Sequence, residues 1–205
     1  FVDDLIIKKN KESSAGLRQW QKPLLTLVAA IPLVVVNAGV NTMWLPFFGR
    51  TDVGLFYPLL LVPIGVVGAA NMVNMLAGFN GLEAGMGLVY TGMLGLYAFT
   101  FGRNTAALIA FIAFCTLLAF FYFNKFPAKI FPGDSLTYLL GAVLVSIAIL
   151  GNIERAALVA SIPFIVEFFL KARGGFKKQS FGFYRDGKLQ SYYKKALEIK
   201  DIEPI

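Results

Sequence analysis

Apolar runs recur along the chain at roughly 23–40, 53–75, 82–101, 105–123, 135–151 and 156–170, each near the about 20 residues that a helix needs to cross a bilayer. The last is the shortest and carries Glu167. The runs are continuous and not alternating, and lipid forces a spanning backbone to satisfy its own hydrogen bonds, so helices are expected and a β-barrel is not. The pattern predicts an all-α, polytopic helical membrane protein with about six transmembrane helices in a single domain over 1–205.

The polar positions are more informative than the apolar ones. NMVNMLAGFNGLEAG, residues 71–85, lies between two apolar runs yet carries Asn71, Asn74, Asn80 and Glu83. A charge left in hydrocarbon costs roughly 2.5–3.5 kcal/mol even on lenient insertion scales. These side chains therefore need water, a partner or a ligand.

Composition agrees with a bilayer protein: 57% hydrophobic residues, 15% charged, and a mean hydropathy of +0.67. Cys115 sits alone inside an apolar run, which excludes a disulfide framework and leaves packing as its role. The chain has no histidine, so a zinc or haem site lacks its usual ligands and any metal must be held by oxygens.

If the six spans alternate, residues 1–22, 76–81, 124–134 and 171–205 share one side and hold 16 of the Lys and Arg residues. Only Arg50, Arg103 and Arg155 fall on the other side. The positive-inside rule makes the first side cytoplasmic. The net charge of +7 is then explained by topology and anionic lipid head groups, and no recognition motif accompanies it, so nucleic acid is not an expected partner.

The polar clusters collect on that same side. Asp3 and Asp4 are adjacent, about 100° apart on a helix, and read either as a solvated acidic end or as two carboxylates with different tasks. Lys22 precedes Pro23 at the start of a span, as a snorkelling anchor or a phosphate contact. Asn71 and Asn74, three apart, share a helix face and suit interhelical hydrogen bonds or a ligand. Gly78 and Gly81 permit a non-helical turn around Asn80.

In FNKFPAKIFPGDSL, 123–136, a Pro- and Gly-marked turn leads into Asp134, a candidate N-cap with Ser135 as rival, and Phe126 and Phe131 flank it as interface aromatics or stacking surfaces. In 171–189, Arg173, Lys177 and Lys178 surround a Gly pair and suit a phosphate clamp or a polybasic lipid anchor.

Carboxylates and amides without His or Cys suit a hard cation, Mg2+ first, which keeps waters and is shared with phosphates. Cationic groups on the same face suit a diphosphate, and phosphoryl transfer needs positioning and charge neutralisation above all. A transporter is the rival from another class, with Glu167 its one midplane candidate. A CDP-alcohol phosphotransferase is disfavoured because its multi-aspartate run is absent.

FVDD with a downstream Lys, NMVNMLAGFNGLEAG and FNKFPAKIFPGDS resemble, in order and spacing, the polyprenyl-phosphate N-acetylhexosamine-1-phosphate transferases, the family of bacterial phospho-MurNAc-pentapeptide translocase. Ala77-Gly78 and Asn80, standing where the bacterial enzymes have Asp-Gly and a second Asp, with DGKLQSYY, resemble the eukaryotic and archaeal UDP-GlcNAc:dolichyl-phosphate branch. The resemblance implies transfer of GlcNAc-1-phosphate from UDP-GlcNAc to a polyprenyl or dolichyl phosphate. It implies Mg2+ as cofactor, with Mn2+ an admissible substitute. It also implies a multi-pass protein of the archaeal plasma membrane or the endoplasmic reticulum, with its active site on the cytoplasmic face.

By that resemblance Asp134 and Asn74 bind the metal with Asn71 nearby, and Asp134, Asp3 and Asp4 are the catalytic carboxylates, the last two orienting or deprotonating the lipid phosphate. Gly78, Asn80 and Phe131 hold the uracil, while Lys22, Arg173, Lys177 and Lys178 meet the phosphates. The segment between Asp4 and Lys22 is longer than in the eukaryotic enzymes, and their Arg-x-Arg in the last loop is replaced by Lys177-Lys178. The family fold has ten helices, so this chain would correspond to helices four to nine and is expected to be inactive alone. Oligomeric state is left open, a homodimer among the options.

Overall fold

The computed structural model describes residues 21–39, 42–45, 49–76, 78–173, 182–185 and 188–191. Asp3, Asp4, Lys177 and Lys178 lie outside them.

Helices build the molecule, as an all-α membrane protein requires. The first apolar run is α1 (Gln21–Leu27), a 3-10 turn (Val28–Ala30) and α2 (Ile31–Val35). It is shorter than the expected 23–40 because Asn37 takes a positive φ of 48° and turns the chain away. An antiparallel hairpin follows, β1 (Thr42–Leu45) with β2 (Gly49–Asp52). A π turn (Tyr57–Leu61) then runs into α3 (Val62–Leu76). The turn 78–81 leads to α4 (Leu82–Thr100), α5 (Asn104–Asn124), α6 (Gly133–Gly151), α7 (Glu154–Ala160) and α8 (Ile162–Arg173). A second hairpin pairs β3 (Gly182–Arg185) with β4 (Lys188–Ser191).

Among the described residues three helices are both long and apolar enough to span a membrane: Tyr57–Leu76, Asn104–Asn124 and Gly133–Gly151. The expected span 156–170 is two helices. Pro163 has no N–H for the Val159 carbonyl four residues back, and just before it the Ser161 N–H and hydroxyl both donate to the Ala157 carbonyl, at 2.9 and 2.7 Å. Tyr90 on α4 fastens this break, its hydroxyl donating to the Ala157 carbonyl at 2.8 Å beside Ser161 Oγ at 2.9 Å.

Packing is inside-out relative to a water-soluble protein. Large residues such as Val89, Met93, Leu96, Phe99 and Ile112 face outward, where lipid would solvate them, and much of the interior is Ala and Gly. At Gly141 on α6 an added Cβ would sit 2.4 Å from Ala70 Cα and 2.5 Å from the Ala69 carbonyl oxygen. That close approach locks α6 against α3, the two helices that carry the polar end of the bundle.

Candidate functional site

Asp134 stands in the first turn of α6. It is not the N-cap, nor is Ser135: the cap position is Pro132, and no side chain caps the helix. The reason lies in a competing partner. Lys22, near the start of α1, donates from Nζ to Asp134 Oδ2 at 2.5 Å, with the two side chains 22% and 31% exposed. The exposure matters because it leaves the pair partly shielded and still reachable.

One turn deeper in α6, Thr137 is almost fully buried. Its hydroxyl donates to Asn74 Oδ1 at 2.7 Å, and Asn74 Nδ2 donates to the Tyr138 hydroxyl at 3.2 Å. Thr137 Oγ1 also lies 3.1 Å from the Asp134 carbonyl. Asn74 at the end of α3 is therefore held in one orientation by α6, with its acceptor oxygen on the Thr137 side. Thr137 and Tyr138 were not singled out in the sequence, although their spacing of three and four from Asp134 puts them on its helix face.

Asn71 behaves differently. Its Nδ2 donates to the Val67 carbonyl at 2.7 Å and to Thr26 Oγ1 at 3.3 Å, so its amide ties α3 to α1. Lys171, also absent from the sequence candidates, donates to the Met75 carbonyl at the end of α3 and lies 3.7 Å from Glu167. A cation at a helix C-terminus satisfies a carbonyl that has no partner within the helix. Glu167 is thus in an ion pair with Lys171 one turn along α8, whose last residue, Arg173, is exposed.

The turn after α3 carries Gly78, Asn80 and Gly81. Gly78 and Gly81 take φ of 141° and 78°, conformations that favour glycine, and Asn80 is exposed. Phe131, on the turn before α6, is 69% exposed, which leaves its ring open to a stacking partner. Glu83 is buried and accepts the Gly78 N–H at 2.8 Å. Asn124, the last residue of α5, is fully buried; its Oδ1 accepts the Gly81 N–H at 3.1 Å and its Nδ2 donates to the Ile130 carbonyl at 2.9 Å.

The structure thus brings Lys22, Asn71, Asn74 and Asp134 together through direct contacts and their neighbours. Gly78 and Asn80 share one turn, which Asn124 joins to the turn bearing Phe131. No cluster of three or more Asp, Glu, Cys or His occurs among the described residues. One carboxylate and one oriented amide oxygen remain, a donor set that suits a weakly held Mg2+ completed by water and phosphate. It would not suit a structural zinc.

Known proteins resemble the chain over most of its length. The glycosyl transferase family 4 model matches residues 1–152. A protein of Saccharolobus solfataricus, provisionally named a UDP-N-acetylglucosamine–dolichyl-phosphate N-acetylglucosaminephosphotransferase, is 40% identical over 82% of this chain and 52% of its own length. Its counterpart of the same name in Sulfolobus acidocaldarius is 36% identical over the same shares. A phospho-N-acetylmuramoyl-pentapeptide-transferase of Lactiplantibacillus plantarum is 32% identical over 82% of this chain and 52% of its length.

The chain is an integral membrane protein. It belongs to glycosyl transferase family 4. It spans about half the length of the curated relatives it matches, 52% for the three named here.

Proposed function

We propose that this chain forms the catalytic part of an enzyme that transfers GlcNAc-1-phosphate from UDP-GlcNAc to a polyprenyl phosphate of the dolichyl type. The observation that carries the reading is the Lys22–Asp134–Asn74 neighbourhood, which gathers a cation, a carboxylate and an oriented amide from α1, α6 and α3. The relatives named above support UDP-GlcNAc and dolichyl phosphate as substrates over the pentapeptide-bearing sugar of the bacterial enzymes.

In this reading a lipid phosphate oxygen attacks the sugar-bearing phosphorus of UDP-GlcNAc. The bond to the bridging oxygen breaks, and that oxygen leaves with its electron pair as part of UMP. Asp134 and Asn74 Oδ1 would hold Mg2+, with Asn71 near. Bound Mg2+ would neutralise the diphosphate charge. Lys22 is within reach of the same phosphates once it exchanges its carboxylate partner for them, and Arg173 at the end of α8, with Lys177 and Lys178 later in the sequence, would add positive charge.

Asp3 and Asp4 would orient or deprotonate the lipid phosphate. Gly78, Asn80 and Phe131 would receive the uracil. A cavity of about 760 Å³ between α3, α6 and α8, lined by Gly65, Met72, Leu144 and Phe164 among other mostly apolar residues, suits the polyprenyl chain. The basic end is assigned to the cytoplasm by its excess of Lys and Arg.

The test uses full-length protein in detergent with polyprenyl phosphate and, in turn, UDP-GlcNAc, UDP-GalNAc and UDP-MurNAc-pentapeptide, with Mg2+ or with chelator. UMP release is expected from UDP-GlcNAc and is expected to stop when Mg2+ is chelated. Turnover of another sugar nucleotide, or turnover that survives chelation, would overturn the corresponding part of the reading.

A further inference from the structure

Two buried side chains near the polar end have no part in the chemistry described so far, Glu83 and Asn124. Both spend their hydrogen bonds on backbone groups of the turns that carry Gly78, Asn80 and Phe131. Asn124 is the more telling. It is fully buried at the end of α5, and its two amide atoms point to different turns: Oδ1 takes the Gly81 N–H, and Nδ2 gives to the Ile130 carbonyl. Ile130 immediately precedes Phe131. Gly81 immediately follows Asn80.

The turn 78–81 also lies directly on the end of α5. An added Cβ at Gly81 would be 3.2 Å from the Phe121 ring and 3.5 Å from Lys125 Cα. The turn 125–132 folds back over the same helix end, with the Lys129 N–H donating to the Phe123 carbonyl at 2.8 Å. Asn124 is the side chain that spans the two turns, and no apolar residue can satisfy both backbone groups at once. Glu83 fixes the other end of the first turn through the Gly78 N–H, and its second oxygen is buried without a hydrogen-bond partner among the described residues. A carboxylate retained at that cost, where a neutral cap would suffice, points to a requirement on the turn it holds.

We infer that Asn124 and Glu83 are positioning residues for the uridine end of the nucleotide sugar: Asn124 sets the distance between the Asn80 turn and Phe131, and Glu83 sets the conformation at Gly78. The inference rests on the assignment of Gly78, Asn80 and Phe131 to the uracil. It predicts a division of labour. Loss of either clasp weakens nucleotide binding and leaves the lipid phosphate side untouched, because Lys22, Asn74 and Asp134 are joined through α1, α3 and α6.

The experiment measures UMP affinity by calorimetry and steady-state kinetics on the full-length enzyme, with N124D, N124L, E83Q and E83M. N124D keeps an acceptor for Gly81 and loses the donor to Ile130, so it tests the joint without removing bulk. E83Q keeps an acceptor for Gly78, whereas E83M does not. Expected are rises of about tenfold in the UMP Kd and in the KM for UDP-GlcNAc for N124D, N124L and E83M. The KM for polyprenyl phosphate is expected to change less than about twofold, and E83Q to stay near wild type, since its acceptor is intact.

Equal losses in both KM values, or an unchanged UMP Kd in N124D, would overturn the inference. Wild-type enzyme that binds UMP but turns over a different UDP-sugar would refute the sugar assignment above while the variant series still supports the clasp. Wild type without UMP affinity would overturn both.

Discussion

Each end of the bundle has a polar pair that joins elements far apart in sequence by a 2.5 Å hydrogen bond. At one end Lys22 meets Asp134; at the other Tyr57, 3% exposed, donates to Glu154. The lengths match and the settings do not. Around Lys22–Asp134 stand Asn74, Thr137, Tyr138, Thr26 and Asn71, with both charged side chains partly open. Around Tyr57 the neighbours are largely apolar, its buried cluster including Val62 and Ile149 with Leu61 packed against it, and Gly39 packs directly under the tyrosine ring. A lone polar tie in an apolar setting is spent on holding helices. A tie among further oriented donors and acceptors keeps capacity for a ligand.

Removing Asp134 breaks that comparison most severely. Asp134→Ala is expected to lower turnover by about a thousandfold or more, since in the proposed reading it deletes the carboxylate that would hold Mg2+ at the diphosphate. Stability should fall by only about 0–1 kcal/mol, because the pair with Lys22 is partly solvated. UMP release and thermal unfolding read the two effects separately. Near-normal turnover would move Asp134 out of the metal site and make the two ends alike.

The next effect is steric and should reach the polar end indirectly. Gly141→Ala places a methyl 2.4 Å from Ala70 Cα, and backbone cannot yield as a side-chain tip does. Overpacking of this kind costs about 1–3 kcal/mol, and it separates α3 from α6, which carry Asn74 and Asp134. Thermal unfolding in detergent should drop and activity should fall with it. An unchanged melting temperature would show that the two helices tolerate a wider spacing.

Tyr57→Phe sharpens the contrast from the other side. It strands a Glu154 oxygen and should cost about 1–3 kcal/mol of stability. Its kcat and its KM for UDP-GlcNAc should stay within about twofold of wild type, as expected for a tie remote from the chemistry. A selective rise in the KM for UDP-GlcNAc would show that the hairpin end is coupled to the site.

Long continuous apolar runs made the helices legible, and charge counting made it legible that their polar ends share a side. Helix ends were less so. The run 156–170 reads as one span because Ile, Val and Phe continue across Ser161-Ile162-Pro163, and only the missing Pro163 donor with its Ser161 and Tyr90 partners divides it. The hairpin at 42–52 gave no alternating signal long enough to separate from a loop.

Asp134 read as a cap candidate because a carboxylate at a helix start usually is one; its real partner is Lys22, 112 positions away, which no local rule reaches. Asn74 and Asp134 were found as residue types in a pattern. Thr137 and Lys171 were not, because what distinguishes them is the backbone group or side chain they touch in another element. Glu83 was visible as a costly residue without a task, and only the Gly78 contact supplies one.

The smallest expected effect concerns orientation alone. Thr137→Val preserves volume and helix geometry and removes the hydroxyl that donates to Asn74 Oδ1. A single hydrogen bond of this kind contributes about 0.5–1.5 kcal/mol, so stability should change little. If Asn74 is a metal ligand, the freed amide rotates and the Mg2+ concentration for half-maximal activity should rise by about three- to tenfold, with kcat at saturating Mg2+ nearly restored. If Asn74 only links α3 to α6, as Asn71 links α3 to α1, the Mg2+ titration will be unchanged and only the melting temperature will move. The titration therefore decides whether the polar end holds a ligand site at Asn74, or a second tie of the kind that Tyr57 and Glu154 make at the other end.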